Sequence, residues 1–403
     1  MAENSTSNSF FTKLKLIIKG IISFFYPKFR CRHTFVPIGC RSASSKFIDV
    51  VKANLKAAAP FLYPEKKDDY YPKFDSPLSV LTSKSEINYM YNKSFTFLDK
   101  NFDLEKLSCV YDLLNDQYSK DYFIRVILYS LFDVVKIRFP YYYSRQFDNL
   151  DFYNKLKVKD ELSPINCSGV FLNCFDLKSI GWDIRLWSNV FGIIINFVNQ
   201  QYKYKNIVKV NAGDYVIDGG ACFGDTSLGF AFLAGPTGRV FPFEFMDENL
   251  SVYFKNMALN PSLSGNVELI QKPLFSVSGA PLQPIFSGAG SYVEFAKDAG
   301  APKDEGGSWL RSISIDDFMR DNNLKKLDFI KLDIEGSELE ALKGAKETIQ
   351  KYKPKLAICL YHDIPHLWQI PLYIKEIAPD YKLYLDHHTI MTYETVLFAI
   401  HDA

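Results

Sequence analysis

Four short apolar runs in the second half of this chain each end in a group that can hold a cation, bind a hydroxyl or move a proton. Tyr215-Val216-Ile217 ends in Asp218, and Arg239-Val240-Phe241-Pro242-Phe243 ends in Glu244. Phe329-Ile330-Lys331-Leu332 ends in Asp333, with Glu335 two residues on, and Leu356-Ala357-Ile358-Cys359-Leu360 leads through Tyr361 to His362. Carboxylates gathered at one place attract a cation. A histidine, with an ordinary pKa of about 6.5, can take a proton from a hydroxyl near neutral pH.

The turn after Asp218 narrows the ligand. Gly219-Gly220-Ala221-Cys222-Phe223-Gly224 reads as G-x-G-x-x-G with Ala221 in place of the second glycine, the position that lets backbone approach a dinucleotide pyrophosphate. Asp218, just before the loop, is expected to repel a phosphate and attract an ammonium or sulfonium. S-adenosylmethionine fits this reading better than NAD. Glu244 follows Asp218 by 26 residues, close to the interval of about 20 for a ribose-binding acid, and is expected to accept from two ribose hydroxyls.

These groups need parallel strands whose carboxyl ends share one crevice, with helices between them. The pattern supplies both. Helices are expected over 226–233, stopped by Gly235-Pro236-Thr237-Gly238, and over 247–260, with Leu250, Tyr253, Phe254 and Met257 as the buried stripe. A third strand is expected at 267–270, a hairpin and a loop within 276–308, and a short helix at 314–321. Ser337 with Glu340 reads as a capping box opening the next helix. A helix over 367–377 and strands at 382–385 and 395–400 complete an α/β fold.

The segment Lys331-Leu332-Asp333-Ile334-Glu335-Gly336-Ser337-Glu338-Leu339-Glu340-Ala341-Leu342-Lys343-Gly344-Ala345, with the glycine loop and Lys353-Pro354-Lys355-Leu356, resembles the FkbM family of S-adenosylmethionine-dependent methyltransferases. The resemblance covers roughly residues 206–400. It departs at Phe245, where the family commonly has proline, and at Cys222, where asparagine is common. It implies a Rossmann-like class I methyltransferase sheet, mostly parallel with the last strand antiparallel, carrying a mainly helical N-terminal region. It also implies a cofactor site at Asp218, Gly219, Gly220, Cys222, Gly224, Asp225, Thr226, Glu244, Phe245, Asn249 and Lys272. Asp333, Glu335 and His362 are the expected catalytic groups, with His362 favoured as base and Asp333 orienting it or acting directly. The acceptor implied is a hydroxyl of a sugar, glycan or similar small molecule, as in polysaccharide biosynthesis. An NAD-dependent oxidoreductase and a catalytically silent nucleotide-binding module are the alternative readings of the same pattern.

Bulk properties exclude other classes. The chain has 403 residues, 47% hydrophobic and 23% charged, an ordinary globular balance. A net charge of +1 gives no overall attraction to nucleic acid. Seven cysteines without C-x-x-C spacing argue against a disulfide framework or zinc site and suit the cytoplasm. His362, Asp363 and His366 are interrupted by Pro365, so no metal is expected there.

Three divisions follow: a basic arm at 1–32, a mainly helical or irregular region at 33–205, and the methyltransferase-like domain at 206–403. Between Glu3 and Asp49 lie eight bases and no acid. The apolar face Leu14, Ile17, Ile18, Ile21 and Phe25 would either pack on the protein or make peripheral membrane contact through residues 13–30. A helical element over 111–133 is expected to wall the acceptor pocket or only to pack. Trp182, Trp187, Tyr202 and Tyr204 are read as core before stacking surface.

Overall fold

The computed structural model describes residues 101–132, 150–158, 164–167, 169–285, 292–295, 309–389 and 393–401. The basic arm, the stretch 33–100 and the loop around 288–291 lie outside the described residues.

The described chain opens with helices α1 (Leu104–Leu113), α2 (Gln117–Phe132) and α3 (Leu150–Asn154). Strands β1 (Ile165–Cys167), β2 (Val170–Asp176) and β3 (Arg185–Ser188) follow as an antiparallel sheet. That sheet adds strands to the region expected to be mainly helical or irregular. Its residues alternate, Phe171 exposed and Leu172 buried, the period of a half-buried strand. The predicted domain then runs β4 (Tyr215–Gly219), α4 (Asp225–Ala234), β5 (Arg239–Phe243), α5 (Asp247–Leu259), the hairpin β6 (Pro281–Ile285) and β7 (Tyr292–Phe295), β8 (Leu310–Arg311) and α6 (Ile315–Asp321). It continues with β9 (Phe329–Leu332), α7 (Glu338–Lys343), α8 (Lys346–Tyr352), β10 (Lys355–Cys359), α9 (His366–Ile377), β11 (Tyr381–His387) and β12 (Thr395–His401).

The main sheet has the order β11-β12-β10-β9-β4-β5. Strands β10, β9, β4 and β5 are parallel, and β12 runs antiparallel to both its neighbours, as expected. Both faces are covered, so β4, β9 and β10 are buried apolar runs without alternation.

The third predicted strand is reduced to two bridges, Val240 to Val267 and Phe243 to Ile270. Pro242 explains the gap. Val240 N–H, Glu268 N–H, Ile270 N–H and Glu244 N–H each donate across this edge, but a proline has no N–H to continue the ladder between them. Phe254, expected in the buried stripe of α5, is 52% exposed; Asn249, Val252 and Asn256 are buried instead.

The first two helices dock on the far edge of the sheet. Asn115 N–H donates to Leu383 O at 2.8 Å, and Leu385 N–H donates to the Ser119 hydroxyl at 3.0 Å. Trp182, Trp187 and Tyr204 are buried in the core, as expected. Among the described residues no helix is long and apolar enough to cross a membrane. Cys109 is disulfide-bonded, against the expectation from cysteine spacing, whereas Cys167, Cys174, Cys222 and Cys359 are free.

Candidate functional site

Asp218 is not at the mouth of the cradle but beneath it. The residue lies inside β4, paired in register with Lys331 of β9, and is 0% exposed. Its carboxylate accepts from the Thr226 and Ser227 hydroxyls at 2.8 and 2.6 Å and pairs with Lys331 Nζ at 3.0 Å. Lys331 also donates to the carbonyls of Gly219 and Gly220 at 3.0 and 2.8 Å. Burial alone would strip the proton from Lys331, but the charges of Asp218 and Asp333 hold its pKa above the usual lysine value. The expected cofactor contact is therefore a structural ion pair that shapes the loop.

The loop itself is pressed onto the next strand. Gly220 has φ +79°, and a Cβ there would stand 1.9 Å from the Asp333 carbonyl oxygen. Only glycine combines that backbone with that contact. Cys222 also has positive φ, +48°, a conformation that asparagine tolerates better than cysteine. Gly219 and Gly224 pack against protein and stay outside the cavity.

A cavity of about 250 Å³ opens above the loop at the carboxyl ends of the strands. Gly220, Cys222, Asp225, Thr226, Glu244, Phe245, Asn249 and Lys272 all line it, as do Asp333 and Glu335. The fold therefore brings most of the predicted site together. Glu244, one residue past β5, is the most firmly held acid. Phe245 N–H and Met246 N–H donate to Oε1 at 2.7 and 2.8 Å; Cys222 N–H and Asn249 Nδ2 donate to Oε2 at 3.0 and 3.2 Å. Burial pushes its pKa up while these donors pull the other way, and burial prevails. Phe245 supplies an N–H that a proline in its place would lack. Asp225 accepts from Asn196 Nδ2 at 2.7 Å and is pushed up by burial.

The opposite wall belongs to the strand tips of β9 and β10. Asp333 stands one residue past β9 and accepts from the hydroxyls of Tyr202 and Tyr361 at 2.8 and 2.7 Å. Burial would raise it, but Lys331, His362 and the two hydroxyls bring it below the usual carboxylate value. Glu335, at φ +54°, is pushed up to about 7 by burial.

His362 corrects the favoured base. Its side chain is 3% exposed, its Nδ1 stands 2.8 Å from Glu338 Oε1, and its Nε2 lies 3.4 Å from Asp333 and 3.3 Å from Glu335. Burial would lower it, yet the carboxylates of Glu338, Glu335 and Asp333 hold it up at about 10. A group that keeps its proton through neutral pH and does not line the cavity cannot abstract one. The expected capping box fails at the same place. Ser337 makes no side-chain cap bond; the 0% exposed Glu338 accepts from Ile334 and Gly336 N–H instead, at 2.8 and 3.1 Å.

The residues missed by sequence reasoning are Tyr202, Tyr361, Glu338 and Glu394. Tyr361 stands beside His362 and Glu338 lies within the acidic segment, so both were adjacent to a signal. Glu394 had none: it reaches the cavity from the turn between β11 and β12, is 9% exposed, and its Oε2 has no hydrogen-bond partner. The cavity's remaining wall comes from residues such as Ser188, Phe191 and Ile195, while none of 104–132 lines it.

Comparison with known proteins gives one family match and several structural likenesses. Residues 218–392 match the family model described as the methyltransferase FkbM domain. Among solved structures, the chain is similar to the methyltransferase FkbM from Methylobacillus flagellatus KT, at 20% identity and a TM-score of 0.47 over 77% of this chain. The match spans only 62% of that enzyme's length. Aeropyrum pernix fibrillarin, solved with S-adenosyl-L-methionine, matches at 9% identity and a TM-score of 0.34, over 58% of this chain and 90% of that one. A putative rRNA methylase from Clostridium thermocellum matches at 14% identity and 0.33, over 51% and 94%. Comparison with curated proteins finds no match. The likeness to the methyltransferase FkbM domain thus falls on the segment, residues 218–392, that carries the cavity's acids.

Proposed function

We propose that the protein is an S-adenosylmethionine-dependent O-methyltransferase acting on a hydroxyl of a sugar, glycan or similar small acceptor. The observation that carries this reading is the charge of the cavity wall. Five carboxylates, Asp225, Glu244, Asp333, Glu335 and Glu394, face two lysines, Lys272 and Lys331, and Lys331 is already engaged with Asp218 and two carbonyls. Such a wall is rich in acceptors, and although burial raises Asp225, Glu244, Glu335 and Glu394, Asp333 keeps its charge, which favours a ligand carrying a sulfonium and an ammonium over a pyrophosphate.

The residues suit the cofactor. Glu244 would receive the ribose hydroxyls, sharing acceptor sites now used by its own N–H donors. Phe245 and Asn249 flank it, and Asp225 offers a carboxylate to the ammonium. The bound cofactor supplies the electrophilic methyl group. On the facing wall Glu335 takes the hydroxyl proton, because it lines the cavity and retains 26% exposure where His362 does not. A sugar-like acceptor is supported by family likeness and by the polar wall of Tyr202, Tyr361 and Glu394.

Titration calorimetry with S-adenosylhomocysteine and NADH in parallel tests the reading. S-adenosylhomocysteine alone should bind, and Glu244→Ala should weaken it about 10- to 100-fold, one to two lost hydrogen bonds to a charged group. Binding of NADH, or of neither ligand, would overturn the methyltransferase proposal.

A further inference from the structure

Glu394 is anchored through its backbone and left unpartnered at its side chain. It stands one residue before β12 begins. The register of β10 on β12 pairs Cys359 with Val396, and Leu360 N–H donates to Thr395 O at 3.0 Å, so the next step along that edge sets Glu394 beside Tyr361. The main-chain carbonyl of Glu394 accepts from His388 N–H at 3.0 Å, and that of Tyr393 accepts from the Thr389 hydroxyl at 2.7 Å. Between these anchors Glu394 has φ +70°, a left-handed backbone that glutamate adopts rarely and keeps only where its surroundings enforce it.

The side chain lines the cavity, and its buried Oε2 has no hydrogen-bond partner. A buried carboxyl oxygen left unpaired is destabilising, and folds seldom keep one without a use for it. The donors around it are committed elsewhere. Tyr202 and Tyr361 each give their hydroxyl proton to Asp333. The ammonium of Lys331 is spent on Asp218 and the carbonyls of Gly219 and Gly220, which uses all of its protons. His362 faces Glu338, Asp333 and Glu335. A molecule in the cavity is left to supply the partner.

Burial, followed by the charges of Asp333 and Glu335, pushes the Glu394 carboxyl well above the usual carboxylate range, against the positive charges of His362 and Lys331. It therefore keeps its proton at neutral pH, while Asp333 stays charged and accepts from two hydroxyls. Two carboxyls held in opposite states at one site divide donor and acceptor work between them. Position assigns Glu394 to the acceptor. In the strand order β12-β10-β9-β4-β5, four steps separate its strand from that of Glu244, roughly 19 Å at the usual spacing. The ribose end of a cofactor and Glu394 thus lie on opposite flanks of the strand tips.

We propose that the Glu394 carboxyl binds a second hydroxyl of the acceptor, beside the one that is methylated, and so selects a vicinal diol of the kind a pyranose ring carries over a lone alcohol. The O–H of Glu394 donates to the oxygen of that second hydroxyl, while Glu335 takes the proton of the reacting one as the methyl group arrives. An acceptor lacking the second hydroxyl leaves a buried polar group unpaired, the circumstance in which a site rejects an analogue most strongly. A carboxylate or phosphate in the same place would meet the negative charge of Asp333, so the second group is a neutral one. This assignment rests on the methyltransferase reading above.

The experiment uses the full chain with S-adenosylmethionine labelled in its methyl group, and cis-cyclohexane-1,2-diol, its trans isomer and cyclohexanol as probes. At least one diol should be methylated about 10-fold or more faster than cyclohexanol. Glu394→Leu should bring that ratio to about one while S-adenosylhomocysteine affinity stays within about twofold of wild type. Glu394→Gln, neutral and still able to donate, should keep most of the preference. Infrared difference spectra, taken as the preferred diol is added to the chain holding S-adenosylhomocysteine, should show a protonated-carboxyl band that shifts in the wild type and is missing in Glu394→Gln. This second readout decides the matter if Glu394→Leu does not fold. No transfer to either diol, a ratio near one in the wild type, a ratio unchanged by Glu394→Leu, equal damage from Gln and Leu, or no such band overturns the proposal. Any of these with S-adenosylhomocysteine bound leaves the methyltransferase reading standing, whereas a chain that does not bind S-adenosylhomocysteine removes both.

Discussion

Asp218 and Asp333 end neighbouring parallel strands, and in sequence they look alike: an acid after a short apolar run. One residue of register separates their fates. Asp218 lies within β4, opposite Lys331, so the ladder, two hydroxyls and a lysine enclose it. Asp333 stands past the last pair of β9, where the chain leaves the sheet and the carboxylate reaches the cavity. A strand-tip acid is a ligand group only if it is beyond the ladder; inside it, the same acid becomes part of the support. The two tips touch where Gly220 meets the Asp333 carbonyl, so the support of one shapes the other.

This contrast can be broken most severely at the enclosed tip. Asp218→Asn leaves Lys331 charged and buried without its partner, and should cost about 3–5 kcal/mol of stability in chemical denaturation. Asp218→Asn with Lys331→Met should recover part of that loss, and an additive loss in the pair would show that the ion pair is not what supports the loop.

The tips should also differ in their response to pH. The folded pKa of His362, about 10, lies above its unfolded value. Its stabilisation is therefore full below about 6.5 and is lost as pH rises through about 10, at up to about 1.4 kcal/mol per pH unit. Lys331, held charged throughout that window, adds no such slope. Urea unfolding at several pH values should show the decline in the wild type and a flatter profile in His362→Gln. Equal slopes would mean that His362 is neutral in the fold.

Gly220→Ala tests the contact between the tips. A methyl at that backbone angle and that distance from a carbonyl should cost about 1–3 kcal/mol, read as a lower melting temperature with weaker S-adenosylhomocysteine binding. At the small end, Phe245→Pro removes one N–H from Glu244 Oε1 while leaving three donors in place, and should change stability by about 1 kcal/mol. A much larger effect would show that the Glu244 donors act as one unit.

The strands, their alternation with helices and the antiparallel closing strand were legible because each buried run is apolar and bounded by glycine, proline or a charged group. Pro242 shows the limit. The run 267–270 has strand character, but its partner lacks the N–H needed to hold it in the ladder, and that depends on which residue faces which. The acids of the cradle were legible as types, and Glu244, Asp225 and Glu335 do line the cavity. His362 was legible as a titratable group but not as a cation, since its pKa is set by Glu338, Glu335 and Asp333 on a different strand tip. Glu394 lies in a turn with no pattern around it and reaches the cavity only because β11 and β12 bring that turn beside β10.

The sequence by itself determined which segments form strands, which residues end them and that residues 218–392 resemble an FkbM domain, because periodicity, turn chemistry and a long contiguous motif are properties of local order along the chain. Only the tertiary structure decided which of those acids meets a ligand, which is neutralised by Lys331 and which histidine is held charged. Burial and partner charge set those outcomes, and both come from residues far apart in sequence that the sheet places side by side.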